Sequence, residues 1–406
     1  MHQFFDLKKT IFSVWKRNTY VPAQLSPHLK ELYGVMGMLN FVFSALMLYE
    51  PIYLYTIGFA LWQIMLFYAG VYGAYLALMP LGGMVAKQKG FEHSIMYSSA
   101  FLVLYLVFLL NIPLYPLFTI LAIITLAIQK TLFWPGYHAD FAFFSQSEER
   151  GRQISMNVLI ESVMAVAAPL VGGLIAASFG FSTLFIVICI IILTSNIPFF
   201  LMKEQFTPTK MEYGDSYRYL LEKKNRPYFW GYVGFGEELI VVTIWPIFLY
   251  ITFSTVLSTG LAVAFSTLVT IIVVLYIGRS TDYADRKQIV RIGALLITIS
   301  WFLRLLARGG PSVMLLDFFS RVSKNVFMIP MVANLYEYAA HTAYIKNMIF
   351  FEMSLSVGKV CTALLLAAAF YVFGPVWQVA FILGGLLSLL FFLLGRKWHN
   401  GHHFDH

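Results

Sequence analysis

IVICIIILTSNIPFFL, residues 186–201, contains no charged residue and shows no alternation of apolar and polar positions. A membrane-spanning β-strand needs about ten alternating residues, so this run reads as helix. The rest of the chain is built the same way. Of its 406 residues, 59% are hydrophobic and 12% charged, with a mean hydropathy of +0.75, whereas a soluble domain carries roughly 25% charged residues. A helix crosses the ~30 Å hydrocarbon layer in about 20 residues. Twelve apolar runs reach that length: 31–55, 60–86, 93–112, 114–137, 153–178, 182–202, 228–252, 256–280, 289–308, 311–336, 346–373 and 375–395. The fold class expected is therefore all-α integral membrane, with twelve transmembrane helices and the lipid bilayer as solvent.

The basic residues test that count, because Lys and Arg concentrate in cytoplasmic loops. With twelve spans, 22 of the 28 basic residues fall on one side: in the N-terminal arm, at Lys87, Lys89, Arg150 and Arg152, in 203–226 and 279–291, and at Lys346, Arg396 and Lys397. Arg308 falls in a loop on the other side, and five basic residues lie within spans. Both termini are expected in the cytoplasm, in a bacterial-type plasma (inner) membrane. The formal net charge of +8 follows from that topology and calls for no nucleic-acid partner. Residues 1–30 show no apolar core with a cleavage site, so no removable signal peptide is expected. KKTIFSVWKRN, residues 8–18, reads either as a basic arm or as a short amphipathic helix on the membrane surface. Cys189 and Cys361 both lie within spans and offer neither a disulfide framework nor a metal motif.

KEQFTPTKMEYGDSYRYLLEKKNRPYF, residues 203–229, is the longest polar segment and divides the spans into six and six. Across it, pairs recur at nearly one offset. PIYLYT at 51–56 returns as PIFLYI at 246–251, 195 positions on; Gly34, Gly37 and Asn40 match Gly231, Gly234 and Glu237 at 197; Lys130 matches Lys324 at 194; Pro135 matches Pro330 at 195. An even number of spans per copy points both copies the same way through the membrane, as a parallel repeat. The organisation expected is a cytoplasmic arm (1–30), a first six-helix bundle (31–202), a cytoplasmic linker (203–227), a second six-helix bundle (228–395) and a cytoplasmic His-rich tail (396–406).

These features resemble the major facilitator superfamily of secondary transporters over residues 30–395. In that family the loop between the second and third spans of each half reads G-x-x-x-D-R-x-G-R-R/K. GRSTDYADRK supplies Gly278, Asp282, Arg286 and Lys287, with Tyr283 and Asp285 departing from the pattern; GGMVAKQKGFE keeps Gly83 and Gly90 but puts Lys87 where the acid belongs. Arg150 with Gly151, then Pro169, Gly172 and Gly173, resembles the proline-glycine motif of antiporters, with Met164 and Ala168 replacing two glycines. The resemblance implies two bundles rocking about a central cavity lined by the first and fourth spans of each half. It further implies gating at the cytoplasmic side, where Asp282, Arg286 and Arg150 fall.

Charged groups inside spans are costly and face water, a partner or a ligand. Counted from the span ends at 1.5 Å per residue, Glu237 lies about 13 Å deep, Lys324 about 20 Å and Lys130 about 24 Å. Glu237 and Glu238 are adjacent and diverge by about 100°, so one of them is expected toward the cavity; the match of Glu237 to Asn40 favours Glu237. A poorly solvated carboxyl holds its proton more firmly, which makes Glu237 a proton carrier or, alternatively, the partner of Lys324 in a salt bridge that holds the halves together. Asp317, Arg321 and Lys324 share one face of the tenth span, and Asp317 with Arg321 is spaced to pair along the helix. Lys130, Lys324 and Arg321 read either as grips for an anionic group or as counter-charges. Trp134 shares the face of Lys130, as an aromatic wall or as packing. Lys359 and Glu352 are seven apart, about 10 Å, too far to pair directly, which leaves Lys359 to line the cavity or balance Asp317 or Glu238. Glu161 is expected at a gate or as a packing partner of the 279–291 loop. His138 and Asp140 read as a solvated turn in preference to a proton relay. The tail histidines read as an unstructured segment rather than a metal site.

No P-loop, nucleophile elbow or HExxH motif occurs, so neither enzyme chemistry nor a cofactor is expected. The function expected is proton-coupled transport of a small organic solute by a monomer, with export favoured over uptake of an organic anion. The alternative from another class is a transporter-like membrane sensor that binds without turnover.

Overall fold

The structure, a computed structural model, describes residues 27–144, 150–197, 211–281, 286–340 and 344–395. The described residues are helical throughout, with no strand among them. Helices α1 (Pro27–Thr56), α2 (Leu61–Lys89), α3 (Phe91–Asn111) and α4 (Leu117–Phe144) are followed by a single hydrogen-bonded run, Arg150–Ser195. That run is two helices, α5 (150–179) and α6 (181–195), because Gly180 sits at φ 84 and ψ 167, a conformation open to a residue without Cβ. Next come α7 (Tyr213–Leu221), α8 (Arg226–Val233), α9 (Gly236–Val242), α10 (Ile244–Phe253), α11 (Val256–Thr281), α12 (Arg286–Leu303), α13 (Gly310–Ala340), α14 (Tyr344–Phe373) and α15 (Trp377–Ser388).

The expected spans lie mostly on helix where they are described. Among the described residues, eight segments are long and apolar enough to cross a membrane: 33–56, 61–89, 91–111, 117–138, 159–195, 223–253, 287–306 and 345–373. Segment 159–195 contains two of the expected spans, while 256–272 and 377–393 form shorter apolar helices. Helix α13 interrupts its apolar runs with Asp317, Arg321 and Lys324.

Two elements differ from expectation. The seventh span, expected as one helix over 228–252, is broken into α8, α9 and α10. Its chain turns at Gly234 and Phe235 and again at Thr243, where φ is −124 and ψ −62. The glycines at 231, 234 and 236 lower helix propensity there, and the break hands Glu237 and Glu238 to the first turn of a new helix. The linker, expected as a polar connection, contains α7. Pro80 lacks an N–H, so the Leu76 carbonyl of α2 has no donor in its own helix. Tyr217 supplies one, its hydroxyl lying 3.3 Å from Leu76 O and 3.1 Å from Ala77 O, while the Tyr213 hydroxyl donates to Ala77 O at 2.7 Å. From the same helix the Tyr219 hydroxyl donates to Asn347 Oδ1 of α14 at 2.8 Å. Helix α7 therefore straps α2 to α14.

The halves meet along two seams, α2 against α14 and α5 against α11. The α5 seam depends on small residues. Tyr49 of α1 donates its hydroxyl to Pro169 O, and its ring fills the space that a side chain at Gly172 or Gly173 would need. A side chain at Gly260 of α11 would collide with Pro169 O and the Tyr49 hydroxyl. The glycine-rich stretch read from sequence as an antiporter motif is thus occupied in packing three helices together.

Candidate functional site

The break in the seventh span places two adjacent carboxylates on diverging sides of α9. Glu237 points into the second half, 1% exposed, where it pairs with Lys324 of α13 and accepts the indole N–H of Trp301 at 3.0 Å. Lys324 lies 4.8 Å from the centre of the Phe235 ring and 5.4 Å from that of Phe391. Its side chain remains 24% exposed, whereas that of Glu237 is 1% exposed. Glu238, on the other side, pairs with Lys359 of α14 at 2.9 Å, and its side chain is 27% exposed. Lys359 sits 4.9 Å from the centre of the Tyr72 ring of α2, and Lys130 of α4 sits 5.5 Å from the same centre. One tyrosine of the first half is therefore approached by a cation from each half.

Two expectations change with this geometry. Glu238 rather than Glu237 is the more open member of the pair, because the rotation between adjacent helical residues turns Glu237 toward Trp301. The Glu237–Lys324 pair lies wholly within the second half and so does not hold the halves together. Of the roles open to Lys359, it balances Glu238.

Asp317 pairs with Arg321 at 2.7 Å, as their spacing requires, and also accepts the indole N–H of Trp245 at 2.8 Å. Sequence reasoning passed over the group that ties these sites together. Arg304 of the ninth span is 1% exposed. Its guanidinium lies between two indoles, 4.2 Å from Trp245 and 3.9 Å from Trp301, and Nη2 donates to Ser320 Oγ at 2.7 Å. Each of those tryptophans in turn donates to a carboxylate, so Arg304 sets the positions of both Glu237 and Asp317. The available signal was an arginine within an apolar run, with Trp301 three residues before it.

His138 also departs from expectation. It is not in a solvated turn but in α4, 7% exposed, stacked on Trp134 at 5.5 Å between ring centres. Its Nε2 lies 3.2 Å from Oε1 of Glu352 on α14, and the Tyr75 hydroxyl donates to the other carboxylate oxygen at 2.9 Å. Here a carboxylate of the second half is held by two residues of the first. Lys359 and Glu352 keep separate partners, as their spacing predicted. Trp134, which shares the face of Lys130 by periodicity, stacks on His138 one turn further along the same helix. Glu161 accepts the Tyr137 hydroxyl at 3.3 Å, and Asn40 is half-buried on α1. Asp282, residues 8–18 and the His-rich tail lie outside the described residues, as do the side chains of Arg150, Arg286 and Asp140.

No protein-family model and no curated protein matches the chain. Solved structures match in shape. A POT peptide transporter in complex with sulfate superposes with a TM-score of 0.70 at 13% identity, over 92% of this chain and 95% of its own. The nucleoside transporter NupG gives 0.65 at 14% identity, over 91% and 98%. A POT family transporter in complex with 5-aminolevulinic acid gives 0.69 at 11% identity, over 93% and 97%. Likeness at such identities speaks to the fold and leaves the pocket chemistry to the residues.

Proposed function

We propose that this chain, which has the major facilitator fold, is a secondary active transporter that moves a small anionic or amphipathic organic solute by alternating access, with a proton as coupling ion. The observation that supports this reading is the asymmetry of the Lys324–Glu237 pair: the cation is 24% exposed and the carboxylate 1%. An anionic solute group that reaches Lys324 competes with Glu237 for it. A carboxylate deprived of its cation in a poorly solvated span is costly, and taking a proton removes that cost. Solute and proton then bind together. Lys130, which has no carboxylate in contact, adds a second cation from the first bundle, with Tyr72 as the ring between Lys130 and Lys359.

The same reasoning bears on direction. Joint binding of anion and proton is symport, which suits uptake driven by an inward proton gradient. Export, expected from residues 169–173, requires the solute to displace the proton instead, and those residues are already accounted for by the packing of α5. A thermal-shift screen of organic acids, followed by flux of the hits in proteoliposomes, tests the proposal. A pH gradient, acid on the side of solute addition, should accelerate flux in the unmodified chain and not in Glu237→Gln. Flux that ignores the gradient in both proteins refutes proton coupling, and binding without flux replaces the transporter with a sensor.

A further inference from the structure

The carboxylates of the site have basic side chains in contact: Glu237, Glu238, Asp317 and Glu352 meet Lys324, Lys359, Arg321 and His138. Glu50 of α1 does not. It is 7% exposed and accepts the Tyr68 hydroxyl of α2 at 2.7 Å. Lys130 of α4 lies within Coulombic reach and forms no ion pair with it. Tyr105 of α3 is fully buried with its hydroxyl unpaired, within electrostatic reach of the same carboxyl. On the other sides of α1, Pro169, Phe185 and Tyr250 meet Tyr49, Tyr53 and Tyr55 and bring no charge. The charges of α9 and α14, Glu238 and Lys359, reach this region by way of Tyr72, which Lys130 also faces.

A bare carboxylate so placed is costly. A proton on Glu50 removes that cost while the other carboxyl oxygen keeps the Tyr68 hydrogen bond.

We propose that Glu50 is a second proton-binding site, and that its proton governs the anion affinity of Lys130. When Glu50 is charged, its field offsets the lysine. When Glu50 is protonated, Lys130 stands uncompensated beside Tyr72 and takes an anionic group of the solute. Each bundle then holds one carboxyl and one lysine that load a proton and an anion together: Glu50 with Lys130 on α1 and α4, and Glu237 with Lys324 on α9 and α13. The sequence repeat pairs the lysines but not the carboxyls, because Asn40 occupies the position that matches Glu237.

This inference rests on the proton-coupled reading, but its test does not require transport. Dicyclohexylcarbodiimide couples to protonated carboxyls in apolar surroundings. The full chain in detergent is treated across a pH series, and modification of Glu50 is measured by peptide mass spectrometry. Glu50 should be modified, with a pH midpoint that rises by about one unit in Lys130→Met, since the lysine's field favours the carboxylate, and that holds in Lys130→Arg. Tyr68→Phe removes the donor to Glu50 and should also raise the midpoint, which carries the test if Lys130→Met does not fold. Glu50 unmodified at every pH, or a midpoint unmoved by both changes, overturns the proposal. If Glu50 titrates while flux ignores the pH gradient, the coupled reading fails and the site stands; gradient-driven flux with Glu50 unmodified sinks the site alone.

Discussion

Replacing Lys324 with methionine isolates the term on which the proposed coupling depends. The change removes the cation from Glu237, a carboxylate 1% exposed whose remaining partner is the Trp301 indole at 3.0 Å. Leaving a buried charge uncompensated costs roughly 3–5 kcal/mol. Glu237 has an escape, which is to take a proton from solvent. From an ordinary glutamate value, protonation costs about 3.7 kcal/mol at pH 7 and about 1.6 kcal/mol at pH 5.5. Lys324→Met should therefore lose about 3.5 kcal/mol of stability at pH 7 and about half of that at pH 5.5. The sign is consistent with linkage: a carboxyl that is neutral in the folded state favours folding at low pH and loses that advantage as pH rises. Unfolding in detergent at the two pH values measures the difference. Lys324→Met combined with Glu237→Gln removes both charges and should recover most of the loss at pH 7. A single variant as stable as the parent at pH 7, or a double variant no better than the single, refutes the argument that Glu237 depends on Lys324.

Three further outcomes are expected. Arg304→Lys keeps the charge but gives up the planar stacking between Trp245 and Trp301, and should lower stability by about 1–3 kcal/mol in the same unfolding measurement. Combining Tyr213→Phe with Tyr217→Phe leaves the Leu76 carbonyl opposite Pro80 unpaired and removes the hydroxyl donors from Ala77 O, for a loss of about 1 kcal/mol per hydrogen bond and faster amide hydrogen exchange in α7. Gly260→Ala places a methyl group against Pro169 O and the Tyr49 hydroxyl; forcing extra volume into a packed seam costs roughly 1–3 kcal/mol, so the yield of folded protein after detergent extraction should fall.

The helical, multi-span character was legible because the bilayer imposes a length and a polarity on each crossing, and runs such as 186–201 satisfy both without ambiguity. The Asp317–Arg321 pair was legible for a similar reason, since four residues on a helix fix a distance. Partners across helices were not. Periodicity puts Lys130, Trp134 and His138, four residues apart in turn, on one face of α4, but only tertiary packing could bring His138 against Glu352, 214 positions away. Helix α7 was hidden for another reason: nine residues are too few to declare a helix on their own, and α7 is held by carbonyls that a proline in a different element leaves open.

The internal repeat accounts for what was found and what was missed. An offset near 195 finds features that both halves share, and it paired Lys130 with Lys324. It also aligns Glu50 with Trp245, the residues just before PIYLYT and PIFLYI. At this offset the two residues have opposite hydrogen-bonding character: Glu50 accepts from Tyr68 of the second span, and Trp245 donates to Asp317 of the tenth. Similarity between the copies therefore conceals this position, because the duplicated slot was kept while its polarity was inverted. The inversion also moves the carboxyl associated with each lysine. In the first copy it stands on α1 at Glu50, and in the second it stands at Glu237, eight residues before Trp245. On the proposed transport reading, a repeat built this way would keep the frame symmetric enough to rock while making the two charge sites unequal, so the two bundles would load their protons at different pH.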